Sequence, residues 1–167
     1  MEIDKKYKIR IATLTDIPLF VFHHTLMFKE IMELKKKEVP LDNYIKMEKA
    51  HLLKLENEIP IGLCLCWLIE YMDQVVVASG GLSICSFTAN LEIPNSKRAY
   101  VHSIYTVKEH RGKKLSVHIL NEMITFCKNS NIFQIILNAS DAGKPIYETL
   151  GFQASTKFMN LTLPYIE

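Results

Sequence analysis

Two stretches with strand periodicity, "RAYVHSIYTV" from Arg98 to Val107 and "NIFQIILNAS" from Asn131 to Ser140, flank a single helical stretch, "LSVHILNEMITFCK". A strand, a helix and a strand at this spacing form a crossover, the connection that joins parallel neighbours in a sheet. This one unit commits the chain to a mixed α/β fold. The rest of the sequence supplies elements of both kinds. "YKIRIA", Tyr7 to Ala12, alternates as a strand, and "TDIP" offers Asp16 or Thr15 as N-cap with Pro18 in the first turn of a helix continuing through "LFVFHHTLMFKEIMELKKK". Val39 and Pro40 break that helix, and "LDNYIKMEKAHLLKLENE" resumes helical spacing. "IGLCLCWLIE" and "QVVVASGGLSIC" then read as a hairpin across "YMD", with Gly80 and Gly81 marking a bulge or bend. After a polar loop from Thr88 to Lys97 and the crossover, "KPIYETL" is a short helix stopped by Gly151, and "STKFMNLTL", Ser155 to Leu163, is a last strand. The expected order is β-α-α-β-β-β-α-β-α-β. No repeat, linker or low-complexity tract divides it, so residues 1–167 are expected to form one domain.

Charge narrows the partners. Twenty basic residues against 18 acidic give +2, so no broad field draws the chain to nucleic acid, and any anion site must be local. The longest apolar run, Ile59 to Ile69, is about half a membrane span, and the N-terminus carries no apolar signal-like stretch. A cytoplasmic protein without membrane contact is expected. Cys64, Cys66, Cys85 and Cys127 read as reduced and mostly structural. Cys64 and Cys66 share a strand face, but no histidine stands near them in sequence, and no His/Asp/Glu grouping has metal spacing, so no metal is expected.

The turn inside the crossover, "EHRGKKLS" from Glu109 to Ser116, carries Arg111 and Gly112 just before the helix opens. First-turn amides have no partner inside the helix and sit at the positive end of its dipole, so a phosphate there satisfies several donors together. The bland alternative is a solvated basic helix start. A second motif bears on the choice: "LNASDAGKPIYETLGF", Leu137 to Phe152, closes the fifth strand and sets Tyr147 one turn before Gly151.

Together with "FKEI" and "ASGGLSI", these stretches resemble the GCN5-related N-acetyltransferase (GNAT) superfamily, in its small-molecule branch, across most of the chain. That family carries an Arg/Gln-x-x-Gly-x-Gly/Ala turn and a later "YexLGF" helix. Here Arg111 matches the first position, Lys114 stands where the family keeps glycine, and Ser116 where it keeps Gly/Ala. The resemblance implies acetyl-CoA as co-substrate, its diphosphate on Arg111, Gly112, Lys113, Lys114, Leu115 and Ser116. It also implies a pantetheine arm in a gap between the fourth and fifth strands, with contacts at Ile104, Thr106 and Asn138. Lys114 is the departure, because a Cβ and a long side chain replace bare backbone.

Acetyl transfer to an amine requires a neutral amine, stabilisation of a developing oxyanion and a proton for the leaving thiolate. By resemblance Tyr147 is the proton donor; read by spacing alone, it is a core aromatic beside Ile146 and Leu150. Strand alternation puts Tyr100, His102, Ile104 and Thr106 on one face. His102 is the candidate base, at a place where the arylalkylamine acetyltransferases carry a histidine, with a hydrogen-bonded strand histidine as the alternative and Glu70 in reserve. His23 and His24 are neighbours on a helix and do not face the same way; His51, His110 and His118 read as surface. The expected reaction moves acetyl from acetyl-CoA to a primary amine of a small molecule by direct attack. A protein lysine or N-terminal acetyltransferase and a non-catalytic acyl-CoA-binding module stand as alternatives, and a homodimer through the last strand's edge is open to this fold.

Overall fold

The computed structural model describes residues 3–73, 75–155 and 159–163. Five strands form one sheet in chain order: β1 (Tyr7–Ile11), β2 (Cys64–Tyr71), β3 (Val75–Ser86), β4 (Lys97–Thr106) and β5 (Ile135–Leu137). The first four are antiparallel neighbours, and β4 and β5 are parallel, as the crossover requires. Helices α1 (Ile17–Leu34) and α2 (Leu41–Glu58) follow β1, α3 (Leu115–Asn129) makes the crossover, and α4 (Lys144–Thr149) follows β5. The order matches the sequence reading up to α4. Of the expected last strand, Ser155 and residues 159–163 carry no strand, and residues 156–158 lie outside the described residues.

Alternation explains the two layers. On one face, Trp67, Ile69, Leu82, Ala99 and Val101 pack with Leu115, Ile119, Leu120 and Met123 of α3. On the other, Cys64, Cys66 and Leu68 pack with Ile17, Phe20 and Val21 of α1 and Leu55 of α2. Burying side chains of this size contributes about 1.5–3 kcal/mol each, so the β2 residues that alternate between the two cores carry much of the fold.

Asp16 is the N-cap of α1 with Pro18 in its first turn, as expected. Its carboxylate accepts from the Thr13 amide at 2.7 Å and from both terminal nitrogens of Arg10 at 2.7 and 2.8 Å. Arg10 Nε donates to Glu70 at 2.6 Å, so this guanidinium ties β1, β2 and the start of α1 together. The Arg10 contact holds the Asp16 carboxyl well below the usual carboxylate range.

The register of β3 and β4 breaks at one place. Ser79 pairs with Tyr105, but Gly81 pairs with His102, so β4 fits one extra residue into the interval. Ser103 takes φ +55, the left-handed region, and completes a β-bulge. The bulge reverses the alternation beyond it. His102 therefore points toward α1 and α2, whereas Ile104 points toward α3, where its Cδ1 sits 2.5 Å from the place a Cβ on Gly80 would occupy. A Cβ on Gly81 would come within 2.4 Å of His102 Cε1. The expected shared face of Tyr100, His102, Ile104 and Thr106 is thus corrected: Tyr100 and His102 lie on one face, Ile104 and Thr106 on the other. The two glycines are the space into which these side chains fold, and the bulge they signal lies on the opposite strand.

A Gly81→Ala variant should lose about 1–3 kcal/mol, because the added Cβ meets the His102 ring, which Ser83 and Ser103 hold from both nitrogens. Thermal melting should drop by several degrees; an unchanged midpoint would mean that the ring moves freely.

Candidate active site

Four features converge around the C-terminal half of β4. The first is the turn into α3. Gly112 takes φ +76 with open space where a Cβ would stand, and Lys114 takes φ +60, ψ +23 as the N-cap residue, without a side-chain cap. The left-handed conformation is one that favours glycine, the residue the resemblance leads one to expect at this position. Lysine adopts the same backbone shape at a cost of about 1–2 kcal/mol. Lys113, Lys114 and Gly112 are exposed, Ser116 is half-buried, and Leu115 is buried as the first residue of α3. Arg111 folds back: its Nε donates to the Thr106 carbonyl at 2.9 Å and its Nη2 to Glu30 of α1 at 2.6 Å, with the guanidinium over the Tyr105 ring. Its side chain thus anchors the turn to β4 and α1. His110, expected at the surface, lies against Tyr71 and pairs through Nδ1 with the Tyr7 hydroxyl at 2.9 Å.

The second feature is a gap. β4 and β5 pair only over Ala99–Ile135, Tyr100–Ile136 and Val101–Leu137, after which β4 runs on to Thr106 without a β5 partner. Asn138, directly after β5, donates to the Tyr100 hydroxyl at 3.2 Å.

Tyr147 is the third. It is half-buried on α4, edge-on to Phe152 and packed against the α3-side core. Burial, helped by the nearby Tyr100, raises its pKa, so the phenol keeps its proton at neutral pH. Tyr100 bridges this group to the other face, since its ring stacks on His102 at 6.1 Å. Neither a hydrogen bond nor a ring contact joins Tyr147 to His102 among the described residues.

The fourth is a cluster of imidazoles between the sheet and the first two helices. His102 Nδ1 lies 2.9 Å from Ser103 Oγ, and His24 Nδ1 lies 2.7 Å from the same oxygen. His102 Nε2 lies 3.1 Å from Ser83 Oγ, which accepts from Lys54 Nζ at 3.0 Å; Lys54 also pairs with Glu58. His24 stacks on His51 at 4.0 Å, and Phe20 meets both His51 and His102. His23 turns the other way, to Ser79 Oγ at 2.9 Å and the Tyr105 ring. His51 is buried, contrary to the surface expected for it. Desolvation holds His23 and His24 at about 4 and His51 at about 3, the last two helped by nearby positive charge. Glu70, the reserve base, is instead bound to Arg10. Cys64 and Cys66 are buried free thiols, and no group of three metal-ligating side chains exists among the described residues.

A family model described as the acetyltransferase (GNAT) domain matches residues 68–159, more than half of the sequence. The chain belongs to the GNAT acetyltransferases. No curated protein matches it. Among solved structures, a predicted acetyltransferase from Clostridium acetobutylicum, crystallised with acetyl-CoA, superposes with a TM-score of 0.83 at 23% identity, covering 93% of this chain and 96% of that one. A GCN5-related N-acetyltransferase from Ralstonia eutropha gives 0.82 at 20% identity, covering 93% and 98%. Glucosamine-6-phosphate N-acetyltransferase from Arabidopsis thaliana gives 0.64 at 17% identity, covering 96% and 100%. At these identities the likeness is one of fold, and this GNAT domain shares it over nearly its whole length.

Sequence reasoning placed Tyr100 beside His102 but missed Ser103, Ser83, Lys54 and His51 as its partners. The paired glycines were the available signal, since Gly80 and Gly81 stand opposite the bulge that gathers these groups.

Two outcomes follow for this acetyltransferase. Lys114→Gly removes the left-handed strain, so the melting midpoint should rise by about 2–4 °C for each kcal/mol recovered; a fall would show that the lysine side chain offsets its backbone cost. The three neutral histidines set the acid limit. Above about pH 6.5 neither folded nor unfolded chain protonates them. Between there and about pH 4 the unfolded chain binds protons that the folded chain refuses, so stability declines as pH falls, by about 1.4 kcal/mol per pH unit for each group. Melting curves from pH 7.5 to 4.5 should show this, and His51→Leu should flatten the slope.

Proposed function

We propose that this acetyltransferase carries acetyl from acetyl-CoA to a primary amine of a small molecule by direct attack, with the whole chain acting as one domain in the cytoplasm. The observation that carries this reading is the divergence of β4 from β5 after three residue pairs, which leaves the β4 edge beside His102 to Thr106 open to an extended ligand. When bound, acetyl-CoA supplies the activated acyl group. The open, uncapped start of α3 suits its diphosphate: Gly112, Lys113, Lys114, Leu115 and Ser116 offer backbone amides and positive charge, and the left-handed Lys114 keeps the backbone shape of a glycine turn. Arg111 holds that turn in place, while Ile104, Thr106 and Asn138 border the gap.

Tyr147 lies close enough to Tyr100 of β4 to feel its charge and keeps its proton, with no hydrogen bond to its hydroxyl among the described residues, which suits a phenol that donates to the leaving sulfur. His102 takes the amine's proton from the α1/α2 face. The acetyl-CoA in the Clostridium structure supports the donor, and the glucosamine-6-phosphate enzyme supports a small-molecule acceptor. Four free cysteines agree with a reducing compartment, and no helix among the described residues is long and apolar enough to cross a membrane.

Thiol release from acetyl-CoA across a panel of primary amines tests the reaction. Tyr147→Phe should lower kcat by about 10²-fold, the scale of a lost proton donor, while calorimetric affinity for acetyl-CoA stays within a few-fold. Unchanged turnover would take Tyr147 out of the mechanism.

A further inference from the structure

Resting on the reading of His102 as base, we propose that Lys54, Ser83, Ser103 and His24 form a one-directional hydrogen-bond chain that fixes the His102 tautomer, with its proton on Nδ1 and its lone pair on Nε2. Lys54, Ser83, Ser103 and His24 are then positioning residues, and Ser103 also relays the proton that His102 must shed.

The direction follows from counting protons. An ammonium only donates, so Ser83 Oγ accepts from Lys54 at 3.0 Å and has its own proton to place. The His102 Nε2 lone pair, 3.1 Å away, takes it. The Cys64 thiol lies 3.8 Å from the same nitrogen, a contact whose direction follows the tautomer. With Nε2 accepting, neutral His102 carries its proton on Nδ1 and donates to Ser103 Oγ at 2.9 Å; Ser103, which is buried, donates onward to His24 Nδ1 at 2.7 Å. His24 then holds its own proton on Nε2. The reverse direction leaves the Ser83 hydroxyl with two donors directed at its oxygen and no acceptor for its proton among the described residues.

The same chain disposes of charge. When an ammonium proton is transferred to His102 Nε2, with the Ser83 hydroxyl turned aside, a new N–H bond forms there. The Nδ1–H bond breaks as its proton passes to Ser103 Oγ, and the Ser103 proton passes to His24 Nδ1. One proton enters and one positive charge appears on His24, whose burial disfavours that charge, so the step runs uphill and the proton does not rest there. His51, stacked on His24, Glu58, paired with Lys54, Cys64, 3.8 Å from His102 Nε2, and Tyr100, stacked on His102, are ionisable groups that also face this chain.

The test is ¹⁵N NMR of the imidazoles in the full chain at pH 7.5, with steady-state kinetics beside it. His102 should show a protonated Nδ1 and His24 a protonated Nε2, and Lys54→Met should convert both to mixed tautomers. Ser103→Gly keeps the left-handed backbone while deleting the hydroxyl. The relieved backbone offsets the two lost hydrogen bonds, so it should melt within a few degrees of wild type, lower kcat at least tenfold and leave KM for acetyl-CoA within about twofold. A protonated Nε2 on His102, or unchanged tautomers in Lys54→Met, overturns the chain; full kcat in Ser103→Gly overturns the relay. The tautomer assignment needs no turnover. A chain found as described in a protein that acetylates no amine would sink the functional reading alone, and the converse result would sink the chain alone.

Discussion

One inserted residue in the middle of the sheet governs the rest. At Ser103 the β4 strand takes a left-handed step, and every side chain beyond it changes face. The step costs about 1–2 kcal/mol in backbone energy and needs empty space on the neighbouring strand. Gly80 and Gly81 provide that space, because any Cβ at either position would overlap Ile104 or His102. In return the sheet gains an arrangement that regular alternation forbids. Three consecutive residues serve three purposes: His102 faces the first two helices, Ser103 ties that histidine to α1, and Ile104 closes the core under α3.

The second organising fact is the brevity of β5. Three residue pairs hold it to β4 before the strands part, and the helices on either side carry groups to the two margins of the opening. α3 brings an uncapped amine-rich start, α4 brings Tyr147, and Arg111 spans from the turn to Glu30 on α1. A sheet paired to its end would have buried the same residues in backbone hydrogen bonds. The interruption leaves the end of β4 without a β5 partner, with α3 and α4 at its flanks.

Much of this was legible from residue order. The helix between two strands announced the parallel pair, Pro18 and Asp16 marked the start of α1, and the "YETLGF" stretch placed Tyr147 on a short helix stopped by Gly151. What escaped was whatever depended on a broken period. Strand alternation assigned Ile104 to the face of His102 because it assumes two residues per repeat throughout, and one residue in the left-handed region voids that assumption. His51 escaped for a different reason. It stands between Ala50 and Leu52 in "MEKAHLLK" on α2, and its position becomes an interior one only when Phe20 and His24 of α1 and His102 of β4 pack against its ring. The serines carried no signal at all, since a buried hydroxyl between two imidazoles looks in sequence like any strand serine.

The bulge also partitions the future of this strand. Since His102 and Ile104 answer to different layers, a change of size at position 104 is felt by Ile119 and Met123 of α3, while one at 102 is felt by α1 and α2. Two positions separated by one residue in a single strand are therefore constrained by separate layers. A lineage that repacks its hydrophobic interior can do so without disturbing the imidazole cluster, and one that adapts its acceptor side can leave that interior untouched.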